Sequence, residues 1–224
     1  MITAFIPARG GSKGIPNKNI KEFADKPLIV HSIEYSLDCK HIDEVVVSTD
    51  DSKISKIALA AGAKVIKRPT ELATNTATTE SAINHFINSA KEKPEIIVLL
   101  QSTSPLRPEG SLDKALKYFQ TGRYDSLLSI CPTHHFFWRL KDDDTTYAEY
   151  DYINRPRRQD LKPIDIRYLE NGSLYIFTRT HFEKTGNRLG GKIGYVEWPE
   201  EYGIQIDTPL DFKFAEQIFN DLNS

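Results

Sequence analysis

Apolar and polar positions along the chain follow two alternating periods. Residues 2–7 (ITAFIP) form a compact apolar run that stops at a glycine-rich turn, which predicts a strand. Residues 27–38 then place Leu28, Ile29, Ile33 and Leu37 near helical spacing. Residues 43–49 (DEVVVST) are β-branched and end on polar Ser48, Thr49 and Asp50. Residues 51–61 put Ile54, Ile57, Ala58 and Ala61 on one helical face, 64–67 read as a short strand, and 77–91 as a helix carrying Ile83, Phe86 and Ile87. Residues 95–101 (EIIVLLQ) are almost continuously apolar, as in a strand covered on both faces; 110–120 read as a helix and 125–131 as another buried strand. Strand–helix repetition with short connections predicts an α/β protein, a Rossmann-like three-layer sandwich around a mostly parallel sheet. Ligands of such sheets bind beyond the carboxyl ends of the strands, so the polar stretches 7–13, 48–51 and 101–107 are where chemistry is expected.

The rhythm breaks after residue 132. Residues 133–170 mix aromatic side chains (Phe136, Phe137, Trp138, Tyr147, Tyr150, Tyr152) with charge runs at 141–144 and 155–158. So long a structureless stretch is uncommon inside a compact domain, so it is expected to pack on something, such as a second subunit. The α/β pattern returns at 172–179 and closes with a helix from Pro209. The expectation is one domain over 1–224 with an insert at 133–170.

Composition narrows the possible partners. Twenty-nine Lys and Arg against 31 Asp and Glu leave a net charge of −2, which argues against a protein that coats a nucleic acid polymer. Two cysteines, Cys39 and Cys131, give neither a disulfide framework nor a zinc cluster, which points to the reducing cytoplasm. Apolar runs are far shorter than the ~20 residues of a spanning helix. The first residues lack the cationic start and apolar core of an export signal, so no membrane association is expected.

The densest chemical signal is IPARGGSKGIPNKN at 6–19, where Gly10, Gly11 and Gly14 accompany Arg9, Lys13 and Lys18. Glycines let main-chain N–H groups approach a phosphate, and the cations suit a polyphosphate; the competing reading is a solvated basic turn. The spacing fits neither a Walker loop nor GxGxxG. Thr74, Thr76, Thr78 and Thr79 offer hydroxyls to a base or ribose, while Thr76 or Thr78 also suits a helix N-cap with Glu80 or Ser81 following. Gln101 ends a buried strand; Arg107 suits an anion or an ion pair with Glu109. Arg155, Arg157, Arg158 and Gln159 cluster as a guanidinium fork for a carboxylate would. Strand alternation puts 205 and 207 on one face. Thr208 reads as an N-cap, with Pro209 at the first helical position and Asp211 closing a capping box. His134 and His135 lack metal-ligand companions and suggest packing or an interface; His31, His85 and His181 sit in helical patterns and read as ordinary. Asp50 and Asp51 read mainly as helix caps, with a share in the site left open.

Through these segments the chain resembles the CMP-sialic acid synthetases (acylneuraminate cytidylyltransferases). ARGGSKGIPNKN is similar to their nucleotide loop. The likeness continues in order through STDD at 48–51, RPTELATNTATT at 68–79, LLQSTSPLR at 99–107, HHFFW at 134–138, NRPRRQD at 154–160, YLENGSLYIF at 168–177, GGKIGYVE at 190–197 and IDT at 206–208. The loop alone suggests a sugar nucleotidyltransferase; RPRRQ followed by ENGSLY is more specific to the sialic-acid branch.

The resemblance implies a nucleotide-diphospho-sugar transferase fold and transfer of CMP from CTP to a nonulosonic acid, with release of pyrophosphate. It implies that Arg9, Lys13 and Lys18 act on the triphosphate, that Ala8, Gly10, Gly11, Ser12, Asn19, Thr74 and Thr76 hold the nucleotide, and that Gln101, Arg158, Gln159 and Asn171 hold the sugar acid. It also implies Mg²⁺, commonly bound by two aspartates; this chain has Gln205 at the first position and Asp207 at the second, so Asp207 is the metal candidate and Gln205 a second one through its neutral oxygen. Asn75 stands where the family usually has Asp. The resemblance further implies a homodimer with sites shared through the 133–170 insert. Two alternatives stay open. One is a synthetase for another ulosonic acid (legionaminic, pseudaminic or eight-carbon), the eight-carbon case opposed by HHFFW and RPRRQ. The other is a non-catalytic nucleotide-binding relative, motivated by Gln205 and Asn75.

Overall fold

The computed structural model describes residues 1–223, so Ser224, the last residue of the expected domain, lies outside the described residues. The chain runs β1 (Ile2–Pro7), a two-residue-per-strand hairpin β2 (Glu22–Phe23) and β3 (Lys26–Pro27), α1 (Leu28–Leu37), β4 (Glu44–Thr49), α2 (Ser52–Ala60), β5 (Lys64–Lys67), α3 (Thr79–Ser89) and β6 (Ile96–Leu100). It continues through α4 (Ser111–Gly122), β7 (Ser126–Thr133), a second hairpin β8 (Trp138–Leu140) and β9 (Thr146–Ala148), β10 (Arg167–Thr178), α5 (Arg179–Thr185), β11 (Ile193–Glu197) and α6 (Pro209–Leu222). Seven strands form one sheet in the order β11-β7-β10-β6-β1-β4-β5. The β1–β4, β1–β6, β4–β5 and β7–β11 pairings are parallel, whereas β10 runs antiparallel to both β6 and β7.

Alternation along the strands sorts the core into two layers. Ala4 and Ile6 of β1, Val45 and Val47 of β4 and Val98 and Leu100 of β6 pack on α1, α2 and α4. Phe5, Val46, Ile97 and Leu99 face the other way, onto Ala82, Ile83, Phe86 and Ile87 of α3, where the Phe5 and Phe86 rings stack 4.7 Å apart. This is the expected three-layer sandwich. Each such fully buried side chain contributes about 1.5–3 kcal/mol. A third cluster seats Phe212 and Ala215 of α6 against Ile15, Phe23 and Ile206, tying the C-terminal helix to the glycine-rich loop.

Helix ends follow the sequence. Asp51 caps α2 by accepting from the main-chain N–H groups of Lys53 and Ile54. Thr78, rather than Thr76, caps α3. Thr208 and Asp211 form the expected capping box with Pro209 inside it, and the main-chain N–H of Thr208 holds the Asp211 carboxyl below its ordinary range.

Two expectations change. The strand foreseen at 172–179 begins at Arg167, because Arg167, Tyr168, Leu169 and Glu170 pair with Thr133, Pro132, Cys131 and Ile130. The excursion is therefore 134–166, shorter at both ends than 133–170. Within it, an aromatic cluster forms at the open end of the β8–β9 hairpin, where Phe136 lies 4.4 Å and Trp138 5.9 Å from Tyr150, and the Arg155 guanidinium covers Phe136. Its apolar tips face outward: Leu140 is 84%, Ile153 77% and Ile164 88% exposed. Among the described residues no helix is long and apolar enough to cross a membrane.

Candidate active site

The carboxyl ends of β1, β5 and β6 open into a cavity of about 510 Å³. Its side walls carry cations, hydroxyls and amides, and Asp207 is the one carboxylate among the described lining residues.

The loop after β1 forms the first wall, with Arg9, Ser12, Lys13, Gly14, Lys18 and Asn19 facing the cavity. Its path is fixed at several points. The Ala8 N–H donates to the Ser48 carbonyl (2.9 Å), and the Gly10 N–H donates to Asp50 Oδ1 (3.0 Å). Asn19 is 6% exposed; its amide donates to the Arg9 carbonyl (3.0 Å) and its Oδ1 accepts from the Ser102 hydroxyl (2.6 Å). Asn19 therefore braces the loop against the segment after β6. Gly14 permits a close approach: a Cβ there would sit 2.3 Å from the Asp207 carbonyl oxygen. Lys18 reaches across the same junction, donating to the Ile206 carbonyl (2.6 Å) and standing 3.4 Å from Asp207 Oδ1. Of the sequence candidates in this loop, Ala8 is buried, and Gly11 is exposed with open space where a Cβ would stand.

The second wall comes from β5 and the start of α3. Arg68 follows β5 directly, is 6% exposed, and donates from Nε to the Ser48 hydroxyl (3.0 Å) and from a terminal nitrogen to the Ser48 carbonyl (2.7 Å). Burial lowers its affinity for its proton; neighbouring Arg9 adds to this and Asp50 opposes it. Asn75, Ala77, Thr78 and Thr79 complete the wall. Thr74 and Thr76 do not line the cavity. Thr74 gives its carbonyl to Arg9 (2.7 Å) and its hydroxyl to the Ala77 N–H (3.1 Å), which shapes the turn that presents the others.

The third wall is Gln101, Ser102 and Thr103 after β6, opposed by Gln205 and Asp207. Here the register of β10 shifts between Glu170 and Tyr175. Asn171, a sugar-site candidate from sequence, is fully buried behind this wall. Its Oδ1 accepts from the Ser129 hydroxyl (2.5 Å) and its amide points to Cys131 Sγ and the Tyr202 carbonyl. These partners place it at the bulge of β10, outside the cavity lining. Arg107 is neither an open anion site nor a partner of Glu109. Its guanidinium donates to the Ser32 hydroxyl and to the Gln101 and Ser173 carbonyls, and burial pulls its pKa down to about 10. It holds the main chain beneath Gln101 in place.

Arg158 and Gln159 are not brought to this cavity. Arg158 pairs with Glu200 at 3.1 Å and is largely exposed, in a short 3-10 turn of the excursion. His134 and His135 line a separate cavity within that excursion. Arg68 is the site residue that sequence reasoning passed over. The available signal was an arginine placed directly after a strand, at the same sheet edge as the glycine-rich loop.

The metal candidates are partly matched by the donor set. Among the described residues no group of three or more His, Cys, Asp and Glu side chains could hold an ion by itself. Asp207 offers an exposed carboxylate on the cavity wall, and Mg²⁺ commonly takes one or two carboxylates together with substrate phosphates. The residues therefore fit a magnesium ion that arrives with a polyphosphate.

Three relatives and two solved structures are informative beside this geometry. N-acylneuraminate cytidylyltransferase of Oncorhynchus mykiss is 39% identical over 222 residues, covering 96% of this chain and 50% of the relative. The enzymes of that name from Streptococcus agalactiae serotype III and Escherichia coli O18:K1:H7 are each 32% identical, over 92% and 96% of this chain. The chain thus spans about half the length of the curated relatives it matches. A CMP:2-keto-3-deoxy-manno-octonic acid synthetase complexed with CTP shares the fold at a TM-score of 0.73 and 16% identity, over 99% of both chains. The 4-diphosphocytidyl-2C-methyl-D-erythritol synthase of Anaerococcus prevotii does so at 0.67 and 14%, over 98% of both. The cytidylyltransferase family profile matches residues 3–160, a span that contains the glycine-rich loop, Arg68 and Gln101, and the chain belongs to the cytidylyltransferase family.

Proposed function

We propose that this chain transfers CMP from CTP to a sialic-acid-like nonulosonic acid and releases pyrophosphate. The observation that carries the reading is the convergence of Arg9, Lys13 and Lys18 on a cavity that Gln101, Gln205 and Asp207 also line. A triphosphate fits the cationic wall, and a polar, polyhydroxylated acid fits the amide wall. The anomeric hydroxyl of the sugar acid attacks the α-phosphorus in line. The new O–P bond forms as the bond to the β-phosphate oxygen breaks, and the hydroxyl proton passes to solvent. Such a transfer is driven by positioning and charge neutralisation. Arg9, Lys13 and Lys18 hold the β- and γ-phosphates and take up charge as pyrophosphate departs. Gly11 and Ser12 supply main-chain and hydroxyl donors, while Gly10, whose N–H is taken by Asp50, fixes the path of the loop. Arg68, Thr78 and Thr79 border the place of the base and ribose, and Gln101 orients the sugar acid. Asp207, with the triphosphate, is the residue to hold Mg²⁺, which when bound would neutralise phosphate charge.

The names of the relatives, with RPRRQ and ENGSLY, favour a nine-carbon acid over an eight-carbon one. The likeness to the eight-carbon synthetase is one of fold. We further assign the excursion at 134–166 to a homodimer interface, in which Arg158 and Gln159 serve the cavity of the partner. The outward Trp138 and Tyr152, beside exposed Leu140, Ile153 and Ile164, support this, since aromatic residues and Arg are enriched at interface cores. Two free buried cysteines are in keeping with a cytoplasmic location.

Pyrophosphate release from CTP, Mg²⁺ and N-acetylneuraminate tests the reading. Turnover with that acid, or with a legionaminic or pseudaminic relative, supports it. Tight CTP binding without turnover on any of them makes the chain a non-catalytic relative.

A further inference from the structure

The position that departs most plainly from the expected metal pair is Gln205, and its surroundings give it another task. Gln205 Nε2 donates to the Glu170 carbonyl at 3.2 Å, which ties the segment before α6 to the irregular part of β10. Beside this bond lies Gly172, at φ +65°, a left-handed conformation suited to glycine. A Cβ there would meet Gln101 Oε1 at 2.9 Å and Gln205 Nε2 at 3.0 Å. Two side-chain amides, one from each side of the third wall, therefore close over a single glycine.

The anchor that orients Gln205 is itself fixed. The Glu170 carboxylate accepts from the Tyr175 hydroxyl and lies 3.9 Å from the Arg188 guanidinium. Arg188 in turn covers the Tyr175 ring and pairs with Glu80 at the start of α3. Burial and the Glu170 contact push the Tyr175 phenol up to about 12, so it remains a hydroxyl donor throughout the neutral range.

We infer that Gln205 is a specificity-determining residue of the sugar-acid subsite, where its amide and that of Gln101 bind a hydroxyl group of the substrate over Gly172. The inference rests on the cytidylyltransferase reading above and goes beyond it by moving Gln205 from the metal to the sugar. A primary amide has two N–H donors and an acceptor oxygen. One donor is committed to Glu170; the second donor and the oxygen suit a hydroxyl, which both donates and accepts. A carboxylate in this position has no proton to give the Glu170 carbonyl. It would also add negative charge where an anionic acid must enter. The amide keeps the negative charge of this wall on Asp207.

The test uses the whole chain with Gln205→Glu and Gln205→Met. Mn²⁺ binding to the protein–CTP complex is read by electron paramagnetic resonance. N-acetylneuraminate binding is read by calorimetry in the presence of an α,β-methylene CTP analogue. Both variants are expected to weaken sugar-acid binding and raise its KM at least tenfold, with Mn²⁺ and CTP-analogue affinities within twofold of the parent. Mn²⁺ affinity that rises in Gln205→Glu and falls in Gln205→Met, with sugar binding unchanged, would overturn the inference and return Gln205 to the metal. Unchanged sugar binding in both variants overturns it too, as does loss of analogue binding together with a collapsed melting transition. If the unaltered chain binds no sugar acid at all, the functional reading itself fails, whatever the variants do.

Discussion

Two cationic segments of this chain look alike in sequence and differ in the folded molecule. Arg9, Lys13 and Lys18 follow β1, and main-chain hydrogen bonds, Asn19 and Gly14 hold them at the sheet edge facing a cavity. Arg155, Arg157 and Arg158 lie in the excursion and find partners close by: the Phe136 ring, Asp160 and Glu200. Exposed pairs of that kind contribute about 0–1 kcal/mol and exchange easily for a better partner. The first cluster is built into its place by the sheet. The second is an accessible set of charges whose role depends on what docks against it.

That contrast can be broken experimentally. The largest effect is expected from Arg9→Ala, which should cut turnover at least 100-fold, by analogy with the ~3–4 kcal/mol of a lost oxyanion donor, while the melting temperature changes little. A large fall in melting temperature would make Arg9 structural. Arg158→Ala should be nearly as damaging to activity. Mixing the two inactive variants sharpens the point, because in a two-fold symmetric dimer one cavity of each mixed pair regains both arginines. Recovery of roughly a quarter of the parent activity is expected if sites are shared. No recovery after subunit exchange would confine Arg158 to its own chain. Gly14→Ala should come next, since its methyl group would displace Asp207. A clear rise in the Mg²⁺ concentration needed for half-maximal activity is expected, and an unaltered titration would detach that contact from the metal.

The smallest effect belongs to His31, which packs on Phe23 and Phe219. Burial pulls its pKa below 6.5, while its Nε2–H donates to the Phe23 carbonyl (2.7 Å). The folded chain therefore resists a proton that the unfolded chain accepts. Stability is full above pH 6.5 and declines as pH falls below it. A drop of a few degrees in melting temperature between pH 7 and pH 5, flatter in His31→Gln, would register this; equal slopes would exclude it.

The sequence carried the frame of the site better than its interior. β1, β4 and β6 were legible because both faces are buried, and α2, α3 and α6 because Asp51, Thr78 and Thr208 mark their starts. The glycine-rich loop was legible because its glycines and cations are adjacent in sequence. The direction of β10 was not, since an apolar run looks the same read either way. Neither were β11 and α5, which are short and follow glycine-rich or strand-like stretches. Arg107 and Asn171 have structural partners that the sequence does not show, for a shared reason. A polar side chain at the end of a strand looks like a ligand contact until its distant partners are known. Those partners, Ser32 and Ser173 for the first and Ser129 and Tyr202 for the second, lie up to 75 residues away.

The antiparallel position of β10 bears on the order in which the protein assembles. β10 sits between β6 and β7, although both precede it in the chain. Until residues 167–178 are available, β6 and β7 present unpaired edges toward a strand that has yet to arrive, and long-range pairings of this kind are slow to form. The same strand brings Glu170, Gly172 and the anchor for Gln205. Joining β6 to β7 and backing the third wall are therefore a single event, which β11, Gln205 and Asp207 follow. A nascent chain that has made only its glycine-rich loop carries the cations of the first wall without the strand that backs the third.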